Sequence, residues 1–237
     1  MAGSRDADET PAADKPHHLD HRKRLRERFL RDDGAAMPDY EVLELLLCLA
    51  IPRRDVKPLA KQLIVEFDDL AGVLSAPNER LVEIDGVGET VVAALKLARA
   101  AALRLTEADA KARPAIGSHQ ALLDHCRARL GRSGTEEFRV LFLDSKNGLI
   151  KDERLGQGTV NHAPVYPREV VKRALELGAV ALILVHNHPS GDPTPSSDDI
   201  AMTREVRAAA ETLGLTLHDH LIVGRNGHAS LRALGKL

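Results

Sequence analysis

A chain of 237 residues holds one large or two ordinary domains, and its 43% apolar content fills a core of Leu, Val and Ala, since aromatics are 3% and Trp is absent. A net charge of −2 excludes a molecule that binds polyanions over its whole surface. Two cysteines, Cys48 and Cys126, argue against a disulfide scaffold or a Cys-ligated metal, and the lack of an apolar stretch near the roughly 18 residues of a membrane span points to a cytoplasmic protein with no membrane partner.

Residues 1–18 are Ala, Asp, Pro and charge without periodicity, which predicts a disordered tail. Residues 19–106 read as helical. Arg22, Lys23, Arg24, Arg26, Arg28 and Arg31 make a basic first helix, which with Arg53 and Arg54 leaves a DNA contact open, although the ordinary role of such a stripe is a solvated face. Leu43, Leu46, Leu47 and Ala50 mark a second helix, and Pro58 starts a third, where proline is tolerated. An Ala-rich helix follows Gly86-Val87-Gly88. The charged stretch 107–116, with Pro114, is the expected linker.

From residue 117 the period changes. A helix is predicted over 118–130, and strands over Phe138–Leu143 and Leu149–Val160, joined by turn-forming residues at Asp144–Gly148. Pro167 opens a helix to Leu177. Val180–Val185 is a continuous apolar run, as for a strand covered on both faces. A helix over Ser197–Leu213 is stopped by Gly214, and Leu215–Val223 is the last predicted strand. The fold class is therefore α+β: an all-helical N-terminal module, then an α/β module over 117–237 with a mixed sheet flanked by helices.

The segment after Val185 carries chemistry. His186 and His188 lie two apart at a strand end and so point to one face, while Asn187 between them points to the other. Asp199 follows eleven residues after His188, in the first turn of a helix. Two imidazoles, one carboxylate and an open fourth position form the donor set of catalytic zinc, one ion per chain. Ser196 and Asp199 also spell a Ser-x-x-Asp capping box, so Ser196 serves as helix cap, site residue or both. A hydrolytic site further needs a base, and Glu136 and Glu137 precede the first strand; residue order alone does not choose between them.

The string His186-x-His188-Pro189, six residues, Ser196-x-x-Asp199 resembles the JAMM motif of the JAB1/MPN metalloproteases. The wider text, including Ile51-Pro-Arg-Arg54-Asp55, Phe142-Leu143-Asp144, Pro167-Arg168-Glu169 and His186-Asn-His-Pro-Ser-Gly191, is similar to the bacterial RadC (UPF0758) family over nearly the whole chain after residue 18. The resemblance implies a JAB1/MPN-type module with zinc on His186, His188 and Asp199. It also implies Glu137 as general acid/base and Ser196 as donor to the oxyanion. The implied activity is zinc metallopeptidase action on a peptide or isopeptide bond, with an unidentified protein or peptide as substrate.

Other histidines are assigned lesser roles. His218 and His220 repeat the i, i+2 spacing, but no third ligand is in range, so His220 reads as a hydrogen-bonded core residue. His162 is a site-rim candidate, and His17, His18 and His21 read as solvated. Gly86-Val87-Gly88 resembles a helix-hairpin-helix turn, whose backbone N–H groups approach a DNA phosphate without reading sequence. Asp85 and Glu89 flank it and repel phosphate. The alternative function is thus a DNA-binding accessory protein of repair or recombination, with a structural or partner-recruiting zinc module.

Overall fold

A computed structural model describes residues 17–112, 119–158, 165–225 and 227–237. The expected tail as far as Pro16, the later part of the expected linker and His162 lie outside them. The chain divides into two compact units, Met1–Lys96 and Leu97–Leu237. Among the described residues no helix is long and apolar enough to cross a membrane.

The first unit contains α1 (His17–Asp32), α2 (Asp39–Ala50), α3 (Lys57–Phe67), α4 (Leu70–Ser75), α5 (Asn78–Val82) and the start of α6 (Glu89–Ala112). Leu43 and Leu47 bury one face of α2 against Leu59 and Leu63 of α3 and against Val73, Leu81, Val91 and Leu95. The basic stripe is partly spent on structure. Arg22 is buried and donates to the carbonyls of Cys48 (3.2 Å), Ile51 and Pro52 (both 2.7 Å) and to that of Arg54. The end of α2 leaves carbonyls without helical partners, and the guanidinium takes that of Cys48 together with those of Ile51, Pro52 and Arg54 in the segment that follows. Arg28 pairs with Glu41 at 2.8 Å. His21, expected to be solvated, instead reaches the buried Glu44 at 2.6 Å.

The second unit contains the later part of α6, α7 (His119–Leu130), β1 (Glu137–Leu143), β2 (Leu149–Gln157), α8 (Pro167–Glu176), β3 (Ala181–Asn187), α9 (Ser197–Thr212), β4 (Thr216–Val223) and β5 (His228–Ser230). Helix α6 continues to Ala112, so the charged stretch from Glu107, read as the head of a linker, is helical for six residues. The sheet order is β2-β1-β3-β4-β5, antiparallel except for the β3–β4 pair. Its parallel pair is joined through α9, as a parallel connection requires a crossover. One face packs Leu141, Leu143, Ile183, Val185, Leu221 and Val223 on Leu122, Leu123, Cys126 and Leu130 of α7. The other packs Phe138, Val140, Phe142, Leu182 and Leu184 on Val170, Val171 and Ala174 of α8 and Val206 and Ala210 of α9. Central β3 is buried along its whole length, which explains its unbroken apolar run.

Strand β4 has an irregularity. Leu182 pairs with Leu217, but Ile183 pairs with Asp219, leaving His218 as an extra residue. Such a bulge breaks the two-residue alternation. His218 and His220 therefore do not converge: His218 Nε2 meets Asn147 Oδ1 at 2.7 Å, whereas buried His220 meets His186.

Candidate metal centre

Strand β3 presents Leu182, Leu184 and His186 to the face covered by α8 and α9, since alternate residues share a face. His186 pairs in register with Phe138 of β1 and Ile222 of β4, and its ring stacks on Phe138 at 6.2 Å between centroids. The backbone leaves the sheet after Asn187, and the His188 amide donates to the Val223 carbonyl at 3.1 Å. Asp199 arrives from the first turn of α9, where a carboxylate is favoured by the helix dipole.

These three side chains form one group, with ligand atoms all within 4.8 Å of one another. His186 Nε2 lies 3.0 Å from His188 Nε2 and 3.1 Å from Asp199 Oδ1; His188 Nε2 lies 3.4 Å from Asp199 Oδ2. Around a tetrahedral zinc with bonds of about 2.0–2.1 Å, donor atoms stand about 3.3 Å apart, close to the distances from His186 Nε2 to His188 Nε2 and to Asp199 Oδ1. The remote nitrogens are engaged as zinc-bound histidines require. His188 Nδ1 donates to the Asp192 carbonyl at 2.8 Å, and His186 Nδ1 is 2.8 Å from His220 Nε2.

Asp199 and the two histidines interact electrostatically. Burial alone would raise the Asp199 pKa, but hydrogen bonds from His186, His188 and Ser196 hold it far below the usual carboxylate range. The hydrogen bond to Asp199 raises the His188 pKa against the effect of burial. Burial pushes His220 well down, with the nearby His186 adding to it.

Ser196 and Asp199 complete the capping box. The Ser196 amide and hydroxyl both donate to Asp199 Oδ2 at 2.7 Å, and the Asp199 amide donates back to Ser196 Oγ at 3.1 Å. With Oδ2 occupied by two donors, Oδ1 is the carboxylate oxygen turned to His186.

Glu136, just before β1, and Glu137, its first residue, fall on opposite faces by alternation, and Glu137 lies away from the metal group. Glu137 already belongs to the ladder, paired with Gln157. It therefore shares a face with Arg139, and its Oε2 lies 3.4 Å from Arg139 Nη1, on the side away from His186. Alternation carries Glu136 to the face of Phe138 and His186, and its charge is one of those that raise the His188 pKa.

Asn187 has a definite task that its position between the ligands did not reveal. It is buried on the α7 face, as expected, where Oδ1 accepts from the Glu137 amide at 2.9 Å and Nδ2 donates to the Thr135 carbonyl at 3.0 Å. The residue between the two histidines thus clamps the backbone that carries Glu136.

The loop holding His188 is seated on the end of β4. A Cβ at Gly224 would stand 2.2 Å from the Gly191 carbonyl oxygen and 3.1 Å from Pro193 Cδ. Gly224→Ala should therefore lower stability by about 1–3 kcal/mol, as overpacking does, and weaken metal binding by shifting His188. Urea unfolding and a zinc titration check this; wild-type values in both would contradict the close approach.

Residues 116–236 match the RadC-like JAB domain family, and residues 17–93 match the UPF0758 N-terminal family. A UPF0758 protein of Ruegeria pomeroyi is 59% identical over 218 residues, covering 92% of this chain and 97% of that protein. One from Rhodobacter capsulatus is 61% identical over 213 residues, covering 90% of this chain and all of its own length. The chain belongs to the UPF0758 family. The candidate metal group lies wholly within its RadC-like JAB domain.

The other candidate site of this UPF0758 chain lies in the first unit. Gly86 has φ +88°, a conformation open to glycine, and Gly88 accepts at the first turn of α6 from Val91 and Val92. Val87 instead serves the helical core: its side chain is buried there and its amide donates to the Ile84 carbonyl at 3.0 Å. Arg54 brings a cation to the turn, with Nη2 3.0 Å from where a Gly86 Cβ would stand.

Proposed function

We propose that the JAB domain is a zinc-dependent peptidase acting on a peptide or isopeptide bond. The observation that carries this reading is the donor set. Among the described residues, three protein ligands converge at zinc spacing. A structural zinc site is ordinarily closed by four protein ligands, whereas a catalytic one keeps a position for water or substrate. The donor set therefore favours hydrolysis over the structural role that the DNA-accessory alternative assigns to the metal.

Bound to His186, His188 and Asp199, zinc supplies Lewis acidity and lowers the pKa of water toward about 7. His186 and His188 present their Nε2 lone pairs, with Nδ1 hydrogens directed away from the metal. Glu136 takes the role first expected of Glu137. It accepts a proton from the attacking water and returns it to the leaving amine. Asn187 holds the backbone on which Glu136 stands. Ser196 orients Asp199, and the oxyanion role implied by the resemblance requires its hydroxyl to turn from Oδ2 to the substrate. The test is to offer peptide and isopeptide libraries to the zinc-loaded protein. New amino termini should appear, a chelator should stop their release, and zinc should restore it. No cleavage by fully loaded protein would count against the reading.

A further inference from the structure

Behind the metal group lies a chain of polar side chains that runs from one proposed ligand to another. His186 Nδ1 is 2.8 Å from His220 Nε2; His220 Nδ1 and the Asp199 carbonyl each lie 2.5 Å from Thr203 Oγ1. His220 and Thr203 are both fully buried on the α9 face of the sheet. Buried polar groups are costly unless every one is paired, so the hydrogens in this chain have to be assigned together.

One assignment of neutral imidazoles satisfies each contact from His186 Nδ1 to the Asp199 carbonyl. A carbonyl can only accept, so the Thr203 hydroxyl hydrogen lies on the Asp199 carbonyl. Thr203 Oγ1 then accepts from His220 Nδ1–H. A neutral imidazole has a single N–H, so His220 Nε2 is an acceptor and takes the hydrogen of His186 Nδ1. His186 is left with a bare Nε2, the atom 3.1 Å from Asp199 Oδ1 and 3.0 Å from His188 Nε2.

We infer that His220 and Thr203 are positioning residues for the metal: a one-directional relay that sets the tautomer of His186 and ties it to the backbone of Asp199. This rests on the zinc-site reading above. Without the Thr203 acceptor, His220 is free to carry its hydrogen on Nε2. That turns the His186 contact around and places the His186 hydrogen on the nitrogen needed by the metal. The bulge in β4 is part of the device, because it brings His220 into register with Leu184, beside His186, rather than leaving the strand's even alternation intact. With both ring nitrogens of His220 engaged, it is not itself a ligand.

The experiment is chelator-competition measurement of zinc affinity in the full chain, on wild type, Thr203→Val and Thr203→Ser, with unfolding of the metal-free proteins measured alongside. Thr203→Val keeps the shape and removes the hydroxyl; its affinity should fall about 10- to 100-fold, the usual effect of breaking a partner of a ligating histidine. Thr203→Ser restores the hydroxyl and should restore affinity. Nitrogen-15 spectra of zinc-loaded wild type should show Nδ1–H on both His186 and His220, a readout that a merely structural role does not require. Unchanged affinity in folded Thr203→Val, or an Nε2–H tautomer of His220, overturns the relay while leaving the zinc site standing. A wild type that binds no zinc overturns the zinc-site reading, and the relay with it.

Discussion

Glu136→Gln is expected to lower hydrolysis by the zinc-loaded protein about 100- to 10,000-fold, the usual contribution of a positioned acid/base. Glu137→Gln should leave the rate within a few-fold of wild type. The contrast follows from the alternation of β1. Phe138 shares its face with His186, and Arg139 shares the other with Glu137, which is held there by the Arg139 guanidinium at 3.4 Å. Reaching the metal group from Glu137 would require turning the side chain through the sheet. Zinc content should be unchanged in both variants, since neither acid belongs to the ligand group. The measurement is initial rate on a cleavable peptide at equal zinc occupancy. Loss of activity in Glu137→Gln with retention in Glu136→Gln would reverse the assignment.

The largest effect on stability is expected at Asp152, on the opposite face of the same sheet. Its carboxylate is almost completely buried and takes His125 Nε2 at 2.8 Å, Arg139 Nε at 2.7 Å and Arg129 Nε at 3.6 Å. Asp152→Ala leaves the Arg139 charge buried without its main partner, and such breaks cost about 3–5 kcal/mol. Denaturant unfolding at neutral pH measures it; a loss under about 1 kcal/mol would mean that the cluster is solvated or rearranges freely.

The pH dependence of that loss has a definite sign. Burial raises the Asp152 pKa, but the His125 hydrogen bond and the Arg139 and Arg129 charges outweigh it and hold the folded value below the ordinary one. A depressed folded value means that the ionised carboxylate stabilises the fold above the unfolded pKa of about 3.9, and that this contribution fades as pH falls through the folded value. With both proteins metal-free, the gap between wild type and Asp152→Ala should be constant above that range and shrink in stronger acid. A gap that widened on acidification would refute the network as drawn.

The sequence patterns carry the architecture well where periodicity is strong. The apolar run after Val180 marks the buried central strand, and the helices opened by Pro167 and Ser196 start where proline and the capping box place them. Three-residue β5 is too short to show alternation, and the charge of α6 after Glu107 hides a helix that continues to Ala112. The convergence of His186, His188 and Asp199 is legible because their spacing and flanking elements agree. The proposed base is harder to place from sequence: a strand starting at Phe138 leaves both acids ahead of it, whereas the ladder begins at Glu137, and in a strand one residue decides the face. His220 was visible as a core histidine, whereas its partner Thr203 was not. A threonine on a helix gives no sign of the strand residue it will meet, and the bulge that brings them together has no marker in the surrounding text.

Elemental analysis of metal content tests most directly whether His186, His188 and Asp199 hold a zinc ion. Wild type should carry close to one zinc per chain, and folded His188→Ala and Asp199→Ala should carry almost none. Metal-free wild type after purification with zinc supplied, or full zinc retained in both variants, would mean that these three residues are not the zinc ligands.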